Sequence, residues 1–227
     1  RDLVRSRGLG DVYKRQGFSN TGFEPYSELY AYQVAQAMGL NAIRYTLTKD
    51  LKKTLCSKCE LFTSKEYSYL PVGQLVPKGG MKAVRAYYET LGQPFVDALE
   101  DMVVFDAVIC NTDRHYGNFG VLVKNETNAI AAPAPLFDHG NSLFSLGGAE
   151  LWEDQKAFDR YARALLPLAY DDFFAEAKAV LRPRHRAMLH KLLEFRFDRR
   201  AAHYNLPPKR LKMIEKEVQR RARVLLG

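Results

Sequence analysis

The chain has 227 residues, 47% of them hydrophobic, and carries a formal net charge of +8 at pH 7. That length suffices for one domain, or for two small lobes around a shared cleft, with a real core. No apolar run reaches membrane-spanning length, the N-terminus lacks an apolar signal region, and three cysteines are too few for a disulfide framework; these features point to a reducing cytoplasm and no membrane.

Residues 1–16 are basic and show neither helical nor strand periodicity. They resemble translated sequencing adapter, so they are set aside from fold reasoning, with the native chain expected to be cut upstream of Gly17. Pro25 suits a first helical turn, Glu28 is expected in that turn, and Leu29 to Met38 continues the helix to a stop at Gly39. Taken alone, Glu28 reads as a carboxylate favoured by the helix dipole. Ala42 to Thr48 is strand-like, Thr48 to Ser57 reads as a polar turn, and Glu60 to Thr63 as another short strand. Cys56 and Cys59 form a CxxC pair without a second ligand pair, so two half-buried thiols beside a hairpin are favoured over zinc. Tyr67 to Leu91, broken by Pro71, Gly73, Pro77, Gly79 and Gly80, reads as a connection followed by the first helix of a larger lobe. Pro94 to Cys110 is a buried helix on the spacing of Phe95, Leu99, Met102, Val103 and Asp106.

That helix delivers the chain into the stretch around which the sequence is organised. Asp113, His115 and Asn118 form one polar cluster, and Asp138, His139 and Asn141 a second. Val121 to Val123 reads as a strand, Lys124 to Asn128 as a turn and Ile130 to Ala132 as the returning strand, a hairpin that would carry Asp138 back beside Asn118. Asp113 and Asn118 stand five apart, the separation between base and metal-binding Asn in a kinase catalytic loop. Asp138, with Gly140 two residues later, sits as in a D-F-G motif, with His139 replacing the Phe. Oxygen ligands such as Asn118 and Asp138 suit Mg²⁺. Each residue separately has a plainer reading. Asp113 could end a helix, Arg114 could pair with a carboxylate or carbonyl, and His115 alone is better read as a core histidine. Asn118 and Asp138-His139-Gly140 could be turns. Jointly, those plain readings leave the Asp–Asn spacing and the hairpin-linked second Asp unexplained.

Beyond the hairpin, helices are expected over Leu151 to Pro167, Asp171 to about Leu181, Arg184 to Phe197 and Lys209 to Leu226. Residues 182–227 hold 14 Lys/Arg against 4 Asp/Glu, a net +10, which leaves −2 for residues 1–181. A solvated amphipathic face, with Leu211, Ile214, Val218 and Leu225 packed inward, is preferred there over nucleic-acid binding, because no recognition motif accompanies the charge.

Asn111-Thr-Asp113-Arg-His115-Tyr-Gly-Asn118 together with Pro135-Leu-Phe-Asp138-x-Gly140-x-Ser142-Leu resembles the HipA-like kinases, bacterial proteins with a protein-kinase-like fold. The likeness extends to Glu24-Pro-Tyr-Ser-Glu28, to Tyr45-Thr-Leu and weakly to Cys59-Glu-Leu-Phe-Thr63. It implies an α+β, two-lobed fold: a small-lobe remnant over 17–70, incomplete at its start, and a helix-rich catalytic lobe over 71–227. It implies ATP and Mg²⁺ as cofactors, phosphoryl transfer to a protein Ser or Thr hydroxyl, and an antitoxin or regulator as a possible partner. By position, Asp113 would be the catalytic Asp, and Asn118 and Asp138 the Mg²⁺ ligands. Asn111 and His115 would orient the loop, and Glu60, Leu61 and Phe62 would form the adenine hinge. Glu28 would pair with the ATP-binding lysine. That lysine is unaccounted for; Lys14, inside the adapter-like stretch, is read as coincidence. Two other classes fit the same residues: a metal-dependent phosphohydrolase using Asp113, His115, Asp138 and His139, and a non-enzymatic pseudokinase binding module.

Overall fold

The computed structural model describes residues 4–6, 12–16, 22–200 and 203–227, with the backbone alone over 4–6 and 12–16. The first part is a four-stranded antiparallel sheet of β1 (Val4–Ser6), β2 (Val12–Gln16), β3 (Tyr45–Lys49) and β4 (Leu55–Glu60), in the order β1-β2-β4-β3. Strands β1 and β2 fall in the stretch set aside as lacking strand periodicity. An antiparallel ladder is made of backbone groups and places few demands on side chains, so it forms along the edge that β4 offers, from Val12 opposite Glu60 to Gln16 opposite Cys56.

Helix α1 (Glu24–Met38) packs across β3 and β4. Its dense row of buried small and apolar residues, Leu29, Tyr30, Ala31, Val34, Ala35 and Met38, anchors it. Pro25 lies in its first turn and Gly39 ends it in the left-handed region at φ 81°, a conformation that costs glycine nothing. Glu28 is the fifth helical residue, past the first turn where a carboxylate gains most from the dipole. The expected turn over Thr48 to Ser57 is shorter than its polar composition suggested. Asp50 closes it by accepting from the Thr54 amide at 2.8 Å, and β4 begins at Leu55 and ends at Glu60, so Leu61 to Thr63 is connection and not strand.

A second, three-stranded antiparallel sheet joins β5 (Tyr67–Pro71), β6 (Gly120–Lys124) and β7 (Ile130–Pro133) in that order. The hairpin β6–β7 is the expected one; β5 lies in the stretch expected as a connection, because Pro71 and Gly73 mask its short period. Gly120 lets β5 approach: a Cβ there would stand 2.2 Å from the Leu70 carbonyl oxygen.

The remainder is helical. Helix α2 (Val72–Leu75) is one turn and α3 (Gly80–Leu91) packs on α4 (Gln93–Ile109). Helix α4 is the centre of the lobe, buried on almost every side, and touches α3, α6 and α8. A short 3₁₀ turn (Ala149–Trp152) precedes α5 (Gln155–Ala164), so the continuous helix expected over 151–167 is broken, with Asp154 capping α5 through the Lys156 amide. Asp172 likewise caps α6 (Phe173–Val180). Helix α7 (Pro183–His190) stops well short of Phe197; the apolar residues Leu192 and Phe195 that suggested continuation are buried in turns. Helix α8 (Pro208–Leu226) buries Leu211, Ile214, Val218 and Leu225, as its periodicity required. Its basic residues are not all solvated. Arg221, 2% exposed, donates to Ala107 O at 2.8 Å and Cys110 Sγ at 3.1 Å, closing the carbonyl end of α4. Arg210 is sandwiched between the Phe23 and Trp152 rings, 3.8 and 4.0 Å from their centroids, and this burial lowers its pKa to about 10. Among the described residues no helix is long and apolar enough to cross a membrane.

Candidate active site

Helix α4 ends at Cys110, in left-handed conformation at φ 54°, and the chain then turns sharply into Asn111-Thr112-Asp113. Asn111 is fully buried and organises that turn. Its Nδ2 donates to Asp106 Oδ1 at 3.0 Å and its Oδ1 accepts from the Asp113 amide at 3.2 Å. Asp113 is thus fixed by its own backbone while its carboxylate stays part-exposed. Asn118 folds back onto it, Nδ2 donating to the Asp113 carbonyl at 3.3 Å. That bond fixes the orientation of the Asn118 amide and leaves its Oδ1 as the oxygen able to meet a cation.

Arg114 ties the two halves of the site together. It is completely buried and all of its N–H groups are used. Nε and Nη2 donate to the two oxygens of buried Asp106 at 2.8 and 2.9 Å. Nη1 donates to the carbonyls of Asn118 at 2.9 Å and Phe137 at 3.0 Å, and Nη2 to His139 Nδ1 at 3.2 Å. Burial works against the guanidinium charge, but the neighbouring Asp106 more than offsets it, and the Arg114 pKa is raised. A permanently charged donor on Nδ1 makes His139 a neutral acceptor there, with its proton on Nε2. The His139 ring is fully buried, edge-on to Phe105 at 5.2 Å.

Asp138 lies between these anchors. Its backbone is left-handed at φ 59°, which Asp tolerates better than most residues. Three contacts hold it there: Arg114 on the preceding carbonyl, the Tyr45 hydroxyl accepting from its own amide at 3.3 Å, and Glu28 Oε2 accepting from the His139 amide at 2.8 Å. Glu28 is fully buried. Burial, reinforced by the Glu28 charge, pushes the Tyr45 hydroxyl well above its ordinary pKa. The Cys59 thiol is likewise raised to about 12, by burial first and Glu28 second.

The structure therefore brings Asp113, Asn118, Asn111, Asp138 and Glu28 into one bonded assembly. Phe62 joins it from the connection after β4, with ring centroids 5.0 Å from Phe137 and 5.6 Å from Tyr69. Leu61 is half-buried beside it, while the Glu60 side chain is exposed at the end of β4. His115 is not a core histidine: it is half-exposed, and its Nδ1 accepts from the Gly117 amide at 3.1 Å, closing a tight turn. Lys14, read as coincidence, has its side chain outside the described residues. The alternative metal cage does not assemble. His139 is committed to Arg114, and among the described residues no three His, Cys, Asp or Glu side chains gather to hold a metal. The sequence marks Tyr45 only within the Tyr45-Thr-Leu likeness and Asp106 only on the helical spacing, with no site role for either. The signal for Asp106 was a carboxylate on an otherwise apolar helix face, which demands a partner.

No family model matches the chain. A curated relative, the serine/threonine-protein kinase CtkA of Helicobacter pylori, is 26% identical over 156 residues, covering 63% of this chain and 46% of its own. The crystal structure of the H. pylori proinflammatory kinase CtkA aligns over 96% of this chain and 85% of its own, with a TM-score of 0.68 and 15% identity. The chain shares the mixed α/β fold of that kinase. A HipA from Shewanella oneidensis MR-1, solved with HipB and operator DNA, aligns over 95% of this chain at a TM-score of 0.48 and 11% identity. The chain spans about half the length, 46%, of the curated relative it matches.

Proposed function

We propose that the chain carries the phosphotransfer site of a HipA-like protein kinase, moving the γ-phosphoryl group of ATP to a Ser or Thr hydroxyl. The supporting observation is the bonded assembly around Arg114. It links the loop bearing Asp113 and Asn118 to the segment bearing Asp138, so that two carboxylates and an amide oxygen are held on adjoining backbone. Phosphoryl transfer asks a protein mainly for positioning and charge stabilisation, and a rigid polar framework of this kind suits that demand.

The donor set fits magnesium. Asn118 Oδ1, oriented by the hydrogen bond its Nδ2 donates to the Asp113 carbonyl, and the Asp138 carboxylate, carried on a backbone fixed on both sides, are hard oxygen ligands. Magnesium, when bound there with ATP, would neutralise the charge on the β- and γ-phosphates. Asp113 would orient the acceptor hydroxyl and take up its proton as that oxygen bonds to the γ-phosphorus. The bond from the γ-phosphorus to the bridging oxygen breaks, and ADP leaves with that oxygen. Glu28, besides holding the His139 amide, would pair with the nucleotide lysine. Leu61 and the backbone of Glu60 to Phe62 would border adenine.

The test is Mg²⁺-dependent binding of a fluorescent ATP analogue, followed by transfer of labelled γ-phosphate to a general protein substrate. Binding should depend on Mg²⁺ and weaken in Asp138→Asn. Asp113→Asn should bind ATP normally and lose transfer. No Mg²⁺-dependent binding by the chain, or transfer by Asp113→Asn at the unaltered rate, would overturn the proposal.

A further inference from the structure

The segment after Asp138 does more than present a metal ligand. Asn141, three residues on, is bonded to the Asp113 loop through both its main chain and its side chain. Its carbonyl accepts from the Thr112 amide at 3.2 Å and from Thr112 Oγ1 at 3.0 Å. Its Nδ2 donates to Asp113 Oδ2 at 2.9 Å. That amide therefore bonds to the carboxylate itself, whereas Asn111 and Asn118 bond to the Asp113 backbone.

We infer that Asn141 is a positioning residue: its amide, by bonding to Oδ2, sets the rotamer of the Asp113 carboxylate and leaves Oδ1 to face the acceptor hydroxyl. This inference rests on the proposed phosphotransfer reading and deepens it. A carboxylate on a part-exposed loop otherwise rotates about χ1 and χ2, and general-base work needs one oxygen aimed at the reacting hydroxyl. Asparagine suits the position because its Nδ2 has donors only; an aspartate there would set two carboxylates face to face. The Thr112 bonds use the Asn141 main chain, so they survive side-chain substitution and keep the two loops together.

Because the two loops are separately stapled, the effect should fall on turnover and not on binding. In Asn141→Ala the kcat for phosphoryl transfer should drop by about ten- to a hundredfold, the scale expected when a reacting group is misplaced by about 1 Å. KM for ATP should stay within about twofold, since ground-state binding is untouched. Asn141→Asp should fall further than Asn141→Ala, whereas a purely structural role would rank the variants by melting temperature alone. A second readout needs no turnover. The Asn141 side-chain ¹H–¹⁵N resonance of the full chain should shift in Asp113→Ala and should not shift in Asn118→Ala. In an Asp113→Ala background, Asn141→Ala should cause no further loss of transfer. If Asp113→Asn abolishes transfer while Asn141→Ala retains unaltered kcat, or the resonance ignores Asp113→Ala, the inference fails and the phosphotransfer reading stands. If Asp113→Asn itself transfers normally, the underlying reading fails.

Discussion

Replacing Arg114 by Met tests the physical core of the site. The substitution keeps much of the side-chain volume and removes the guanidinium, stranding the Asp106 carboxylate, 0% exposed, without its counter-charge. Breaking a buried ion pair from one side costs about 3–5 kcal/mol. The carbonyls of Asn118 and Phe137 also lose donors, and each net hydrogen bond is worth about 1 kcal/mol. Asp106 keeps the Asn111 amide, which limits the damage, so the total is about 4–6 kcal/mol. For a chain of this size each kcal/mol moves the melting temperature by roughly 2–4 °C, giving a fall of roughly 10–20 °C by calorimetry or circular dichroism. The double variant Asp106→Leu/Arg114→Met removes both charges and should recover more than half of the lost stability, since an apolar pair of similar size replaces an ion pair at little cost. It should not recover phosphoryl transfer, because the clamp on Phe137, next to Asp138, stays broken. A loss below about 1.5 kcal/mol in the single variant would mean that water or local rearrangement satisfies Asp106, and the argument for a rigid, Arg-centred site would fail.

Glu28 separates two roles. Glu28→Gln keeps an oxygen for the His139 amide and should retain near-normal stability while weakening ATP binding, whereas Glu28→Ala should cost about 1–3 kcal/mol in denaturant unfolding. Equal destabilisation by both variants would refute the amide-acceptor role. Gly120→Ala should destabilise by at least about 1–3 kcal/mol, because its methyl carbon would collide with the Leu70 carbonyl and force β5 off β6; a neutral result in urea would contradict the close approach. Glu100, 1% exposed, is buried at a desolvation cost that its bonds to Arg182, Arg85 and Arg184 outweigh, so its pKa is lowered. A carboxylate of depressed pKa stabilises the fold above the unfolded value and loses that contribution as pH falls through the folded one. The stability gap between the unaltered chain and Glu100→Gln should therefore be full at pH 7 and shrink below about pH 4.3; a gap that widens in acid would reverse the assignment. Burial raises the thiols of Cys59 to about 12 and Cys110 to about 11, so both should resist a thiol-disulfide reagent at pH 8 until the protein is unfolded.

The order of elements around the site was readable from local chemistry. The Pro25 and Gly39 punctuation bounded α1, and the apolar run of α4 ended where the polar loop began. The β6–β7 hairpin followed from a short strand, a turn and a return. Pairing at a distance was not readable in the same way. Strand β5 is short, ends in proline and meets β6 about fifty residues later, and nothing within Tyr67–Pro71 itself announces that partner. Helix ends were misjudged over 151–167 and 184–197 because buried turns carry the same apolar residues as helices, and periodicity alone does not separate them.

Within the site, oxygen-bearing side chains were visible as a pattern, but the roles of their neighbours depended on burial. His115 and His139 look alike in sequence, each standing within two residues of an aspartate and of a glycine. In the fold one closes an exposed turn, while the other is sealed against Phe105 and accepts from Arg114. The difference arises from what α4 places beside each ring, and in particular from Asp106, which turns the Arg114 guanidinium inward. A charge buried on the scaffold helix therefore decides how the loop residues are used. For this reason the Arg114 and Asp106 variants probe the site more directly than substitutions at the histidines, whose sequence context is similar but whose surroundings share almost nothing.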